Sequence, residues 1–206
     1  MEESVGLLNE KKISSDEYRQ YFRDNVLRTL QDKENFEIVQ FLGEGSYGEV
    51  VAVNTPHYED TVALKIVLAD DTWMGELMLW PTLDHQNVLP LLEFIEVPYA
   101  HLFLTPLLYG DMETILESNE FRNDPDGLDV ARKWLRDVLD ALDYLHSQKL
   151  CHLDIKADNV LIDYNINAVL CDFSFINNAD EPLQRFVSPF LLKLLCVEKV
   201  ATKEFV

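Results

Sequence analysis

The sequence has little positive charge: 17 Lys plus Arg stand against 37 Asp plus Glu, for a formal net charge of -20. General affinity for a phosphate backbone is therefore disfavoured, and no nucleic-acid partner is expected. Such acidity suits a basic peptide or protein partner, and it equally suits plain solubility. Cysteine is scarce. Cys151, Cys171 and Cys196 cannot all pair within one chain and lack metal-ligand spacing, which indicates a reducing compartment rather than a disulfide framework. Long apolar runs are missing too, since no segment approaches the ~18 residues that cross a bilayer. The opening MEESVGLLNE lacks the basic-then-apolar order of a secretory leader. Membrane insertion and secretion are disfavoured, and a cytoplasmic or nuclear location is expected. Internal repeats and low-complexity tracts are absent. What is present is a 206-residue chain, 48% hydrophobic. That is too apolar for disorder, and long enough for one core or two small lobes sharing a cleft.

Three regions follow from the texture of the chain. Residues 1–35 read as a tail and a helix, capped by Ser14 or Ser15, with Tyr18, Phe22, Val26 and Leu30 as a stripe at helical spacing. The stripe is read as packing on the body of the domain, with partner docking as the alternative. Residues 36–108 carry short β-branched runs, FEIVQFL, EVVAVNT and TVALKIVLA, then a helical ADDTWMGELMLWPTL that Pro81 must end or kink. VLPLLEFIEV and HLFLTPLL follow as strands. Residues 109–206 turn helical in METILESNEF and LDVARKWLRDVLDALDYLHSQ. Ala131, Leu135, Val138, Leu142 and Leu145 are expected to form the buried face of the longer helix. Two small strands, NVLID and AVLCD, come next. The order gives an α+β chain with a sheet-rich front, a helix-rich back and its polar clusters near the boundary.

Three clusters bear on chemistry. GEGSYGEV places Gly43, Gly45 and Gly48 between two β runs, where backbone N–H groups can approach phosphate oxygens without interference from Cβ. The alternative is a glycine hairpin. A dinucleotide fingerprint is disfavoured, because the chain continues as strand instead of opening a helix. Lys65 lies inside the apolar strand VALKI, so its ammonium needs an anion. Glu76 on the next helix is the obvious protein partner, nucleotide phosphates the ligand, and snorkelling to solvent the alternative. HLDIKADNVLI crowds Asp154, Lys156 and Asn159 between a long helix and a strand. A carboxylate there can orient or deprotonate a hydroxyl, the lysine can stabilise charge on a transferred group, and the amide oxygen can ligate a divalent cation. Asp172, after AVLC, adds an anionic ligand. The competing account is a capped loop with ordinary Asp and Asn turn roles.

Taken in order, GxGxxGxV, VALK, a helix glutamate, HxDxKxxN and an aspartate followed by Phe173 and Ser174 resemble the signature of eukaryotic-type Ser/Thr protein kinases. The resemblance covers residues 36–175 and implies a two-lobe kinase-like fold, an antiparallel N-lobe over 36–108 and a reduced helical C-lobe over 109–206. It implies that Gly43, Gly45 and Gly48 cover ATP, and that Lys65 holds its α- and β-phosphates while paired to Glu76. By the same resemblance Asp154 accepts the substrate hydroxyl proton, Lys156 steadies the γ-phosphate, and Asn159 and Asp172 bind magnesium. Leu104 to Leu108 resemble the hinge, with Thr105 as gatekeeper. Val50, Ala63 and Leu161 match the apolar positions around adenine. Trp80, Leu91, His152 and Phe173 match the stacked residues that align the lobes. Lys156 is similar to serine/threonine kinases rather than tyrosine kinases, and the LTPLLYGDM hinge somewhat resembles kinases of large DNA viruses.

Departures accompany the match. Leu153 replaces the arginine that reads a loop phosphate, so activation-loop phosphorylation is expected to be unnecessary. Ser174 replaces a glycine. Phe190, in SPFLL, stands where the family has a glutamate, and the family fold continues beyond a length of 206 residues. The C-lobe is therefore expected to be shortened, with LLKLLCVEK as one replacement helix and a partner protein covering the exposed face of helix 129–147. Two functions stay in play. One is an ATP- and magnesium-dependent Ser/Thr protein kinase acting on protein substrates, with basic surroundings favoured. The other is a non-catalytic kinase-like protein that binds and regulates another kinase or its substrate.

Overall fold

The computed structural model describes residues 25, 26, 28, 30, 35–45, 48–69, 74–97 and 100–178. The β-branched runs form five antiparallel strands, β1 Glu37–Gly45, β2 Gly48–Asn54, β3 Val62–Leu68, β4 Glu93–Val97 and β5 Ala100–Pro106, in the order β1-β2-β3-β5-β4. Alternation assigns the two faces. Val62, Leu64 and Ile66 of β3 join Leu102 and Leu104 of β5 in one apolar cluster, with Val26, Leu30 and Phe36 packed into it. Leu30 is 1% exposed, so the described part of the N-terminal stripe covers the sheet as expected. Tyr18, Phe22, Ser14 and Ser15 lie outside the described residues. Ala63, Lys65, Phe103 and Thr105 occupy the opposite face.

Helix α1, Met74–Leu79, follows β3 and passes into a 3-10 turn at Trp80–Thr82, with Pro81 early in that turn. The strand expected over VLPLLEFIEV begins only at Glu93. The reason is competition for backbone partners: Leu89 N–H donates to Leu170 O at 2.8 Å, and Leu170 N–H donates to Asn87 O at 2.8 Å. Those bonds tie residues 87–89 to the second lobe, and the stretch rejoins the sheet at Leu92, whose N–H donates to Leu104 O at 2.8 Å.

The second region is more helical. β6 Gly110–Asp111 leads into α2 Met112–Glu117 and α3 Asn119–Arg122, then α4 Gly127–Ser147. METILESNEF is thus two short helices. Ser118 breaks it with extended backbone and caps α3 by accepting from Phe121 N–H at 3.1 Å. Strands β7 Leu150–Cys151, β8 Val160–Ile162, β9 Ala168–Leu170 and β10 Asn177–Asn178 complete the described fold. β8 pairs with β6 and β9, while β7 pairs with β10.

The buried face of α4 is rotated from the expected one. Trp134, Val138, Ala141 and Leu145 are buried, whereas Ala131, Leu135 and Leu142 are only partly so. Trp134 can go inside because its indole N–H finds Ile166 O at 3.2 Å and its ring stacks on Phe121 at 5.1 Å. Ala141, fully buried, lets the helix approach closely. Leu128 and Leu139 remain 40% and 48% exposed, so an apolar strip of this helix does face outward among the described residues. SPFLL, Phe190, LLKLLCVEK and Cys196 lie outside the described residues.

Candidate active site

Sheet register places the first half of the site. Val50 is opposite Lys65, which is opposite Phe103; Ala52 is opposite Ala63, which is opposite Thr105. Directly opposed residues share a face, so Val50, Ala63, Lys65 and Thr105 look the same way. Gly45 and Gly48 pair at the end of the β1–β2 hairpin. Gly48 is needed for packing as well, since a Cβ there would lie 2.1 Å from Ile66 O, whereas a Cβ on Gly43 would meet nothing within 4 Å. The glycine hairpin and the phosphate-approach turn are therefore compatible readings of one segment.

Lys65 does not snorkel to solvent. Its Nζ donates to Glu76 Oε1 at 2.6 Å, Asp172 Oδ1 at 3.0 Å and Ser174 Oγ at 3.3 Å. Burial acts to depress this lysine, but Glu76 and Asp172 more than offset it and hold the ammonium charged. For Asp172 burial acts upward, and Lys65 and the Ser174 hydroxyl outweigh it, leaving the carboxyl below the ordinary range. Glu76 is fully buried, and its Oε2 has no hydrogen-bond partner among the described residues.

The second half is built on the turn between β7 and β8. Asp154 meets Lys156 Nζ at 3.2 Å and accepts from Asn159 Nδ2 at 2.8 Å; the same Nδ2 donates to Asp154 O. Because both bonds use the amide nitrogen, the Asn159 side-chain oxygen is left for another partner. Cys171 N–H donates to Asn159 O at 2.9 Å, which brings Asn159 beside the strand end that carries Asp172. Both Leu153 and Asp172 have left-handed backbone, with φ of 67° and 61°. Such conformations are costly for side-chain-bearing residues and persist only where the surroundings impose them.

His152 links the halves. Its Nε2 donates to Cys171 O at 2.9 Å and its Nδ1 accepts from Asp154 N–H at 3.3 Å. Burial depresses its pKa, in keeping with the neutral ring those two bonds require. The ring contacts Phe173 edge-on at 5.4 Å, and Phe173 lies 5.5 Å from Trp80. Leu91 packs partly buried against the same core, and Leu161 does so from β8. Phe103 was missing from the sequence expectation, yet it stacks on Trp80 at 5.4 Å. Its signal was available, two positions before Thr105 on the cleft face. Cys171 supplies no nucleophile, because burial pushes its thiol up to about 12.

The sequence profile of the protein kinase domain matches residues 36–198. The chain belongs to the protein kinase family. Its domain is of the eukaryotic serine/threonine type. The chain is 33% identical over 163 residues to serine/threonine-protein kinase GRIK1 of Arabidopsis thaliana, covering 70% of this chain and 40% of that protein. It is 29% identical over 195 residues to the "Probable serine/threonine-protein kinase KIN1 homolog" of Enterocytozoon bieneusi, covering 89% of this chain and 32% of that protein. With serine/threonine-protein kinase TIO of Arabidopsis thaliana it shares 28% over 149 residues, 69% of this chain and 11% of that protein. The kinase chain thus spans less than half the length of these curated relatives. Among its described residues no helix is long and apolar enough to cross a membrane.

Proposed function

We propose that this kinase transfers the γ-phosphate of ATP to serine or threonine hydroxyls of proteins, with magnesium as the metal. The observation that carries the reading is the joint placement of two polar groups at one boundary. Lys65, Glu76 and Asp172 form one, Asp154, Lys156 and Asn159 the other, and His152 and Cys171 bond them together. Lys65 binds phosphate oxygens from the wall shared with Val50, Ala63 and Thr105, which with Leu161 provide the apolar slot for adenine, beneath the turn of Gly43, Gly45 and Gly48. Asp154 orients the acceptor hydroxyl and takes its proton, while Lys156 stabilises charge on the transferred group.

The donors present fit magnesium. One carboxylate held anionic, Asp172, and one free amide oxygen, from Asn159, suit an ion that completes its shell with phosphate oxygens and water. When bound, the ion neutralises phosphate charge. The free, buried Cys151 and Cys171 support a reducing location, cytoplasm or nucleus. Net acidity supports basic protein substrates. The test is phosphate transfer to basic proteins by the unphosphorylated chain, its state established by intact mass, beside Asp154→Asn. Turnover no higher than that control defeats the enzyme reading. Binding to a kinase or a kinase substrate without turnover selects the regulatory alternative.

A further inference from the structure

The polar departure from the family pattern lies in the middle of this site. Ser174 is 1% exposed, and its hydroxyl is aimed at charged groups. The Lys65 ammonium has three N–H groups and three acceptors, of which Ser174 Oγ at 3.3 Å is the third. Ser174 has one proton to give. The contact of 2.6 Å to Asp172 Oδ1, against 3.5 Å to Glu76 Oε1, assigns it to Asp172. Glycine at this position would leave Lys65 one acceptor short and remove a donor from Asp172. A second contact joins the same elements: Gly75 comes so close to the following segment that a Cβ would lie 2.4 Å from Ile176 O. Helix α1, which carries Glu76, is therefore tied to residues 172–176 once by side chains and once by backbone approach. At position 153 there is no cation to read a loop phosphate; Leu153 is apolar and 40% exposed.

We infer that Ser174 is a positioning residue. Its hydroxyl fixes the Asp172 carboxylate to the Lys65–Glu76 pair, so the site is held assembled from within instead of by a phosphate on the loop that follows. The inference rests on the kinase reading for its consequence, while the tie itself is made by side chains of this chain alone. With Oδ1 engaged by Ser174 and Lys65, Oδ2 is the Asp172 oxygen that would be left to hold magnesium.

Ser174→Ala removes one oxygen, and Ser174→Thr restores the hydroxyl. Thermal melts verify that each variant folds, and Ser174→Ala decides if the bulkier Ser174→Thr does not. Hydrogen exchange of the nucleotide-free chain reads the tie: amides of residues 74–79 should exchange about tenfold faster in Ser174→Ala, the loss of one charge-assisted hydrogen bond. The magnesium concentration that half-saturates nucleotide binding should rise about three- to tenfold, with kcat at saturating magnesium changing less. Ser174→Thr should return both towards the wild type. Exchange and magnesium dependence within about twofold of wild type in Ser174→Ala would overturn the inference even if the wild-type chain transfers phosphate. An inactive wild type whose exchange still depends on the hydroxyl would instead overturn the kinase reading and uphold the tie.

Discussion

The site contains two ammonium–carboxylate groupings that differ in burial. In one, the Lys65 and Glu76 side chains are 18% and 1% exposed, at 2.6 Å. In the other, the Lys156 and Asp154 side chains are 44% and 31% exposed, at 3.2 Å. Removing charges from water is costly, so the first pair survives only because each ammonium proton has an acceptor. The second is screened and holds its partners loosely. Physical chemistry thus gives the two groupings different uses. The buried one is a fixed frame, and the half-exposed one keeps its charges available for a substrate.

The largest effects should separate these uses. Asp154→Asn is expected to reduce transfer about 10²- to 10⁴-fold, the span of general-base contributions, while leaving magnesium-nucleotide binding within about twofold. Asp172→Ala should lose magnesium-dependent binding as well as transfer. Calorimetry on both variants checks the division. Equal loss of binding in the two would mean that the half-exposed aspartate is part of the frame after all.

Stability should divide the same way. Glu76→Leu takes from the buried Lys65 ammonium the shorter of its two carboxylate partners and is expected to cost about 3 kcal/mol in urea unfolding. The double variant Lys65→Met with Glu76→Leu should recover part of that loss, because the buried ammonium leaves together with Glu76, while the more exposed Asp172 carboxylate loses its cation. Lys156→Ala should cost less than about 1 kcal/mol. If Lys156→Ala proves as damaging as Glu76→Leu, burial is not what distinguishes the pairs. Gly75→Ala should be intermediate, at about 1–3 kcal/mol, although alanine is the better helix former. The Ile176 carbonyl in its path is backbone and cannot simply rotate away. A stabilised Gly75→Ala would show that α1 shifts freely.

Motif spacing made the frame legible because its chemistry forces short-range regularities. A lysine within VALKI must find an anion, and Glu76 was the near candidate eleven residues on; the 2.6 Å contact is that requirement met. Lys65 to Asp172 spans 107 residues, and only the family resemblance connected them beforehand. The face of α4 was misjudged because helical periodicity weighs leucine above tryptophan, whereas Trp134 buries its ring by finding a carbonyl for its N–H. VLPLLEFIEV read as one strand because alternation cannot tell which backbone will supply partners; Leu170 claimed Leu89 first. Ser174 was visible as a departure from glycine, but beyond Asp172 its polar neighbours are Lys65 and Glu76, 109 and 98 residues away, which sequence proximity does not join to it.

The last expected effect is read through pH and concerns a carboxylate that is bonded to neither Lys65 nor Lys156. Asp163, after β8, accepts from Asn165 N–H at 2.8 Å, Asn167 N–H at 2.7 Å and Asn167 Nδ2 at 2.8 Å, closing the turn into β9. Partial burial acts to raise its pKa, and these amide donors outweigh it, so the folded value lies below the ordinary 3.8. A depressed folded pKa contributes stability that is complete above the unfolded value and is lost as pH falls through the folded one. Asp163→Ala should therefore be about 1–2 kcal/mol less stable than wild type at neutral pH, measured by urea unfolding. The gap should narrow below about pH 4 and close further in stronger acid, because protonation takes from the wild type much of what the substitution has already removed. A gap that stays constant into acid would show that the turn is held by shape and hydrogen bonding alone. The contrast with the lysine-centred frame would then sharpen, since only there would ionisation itself stabilise the fold.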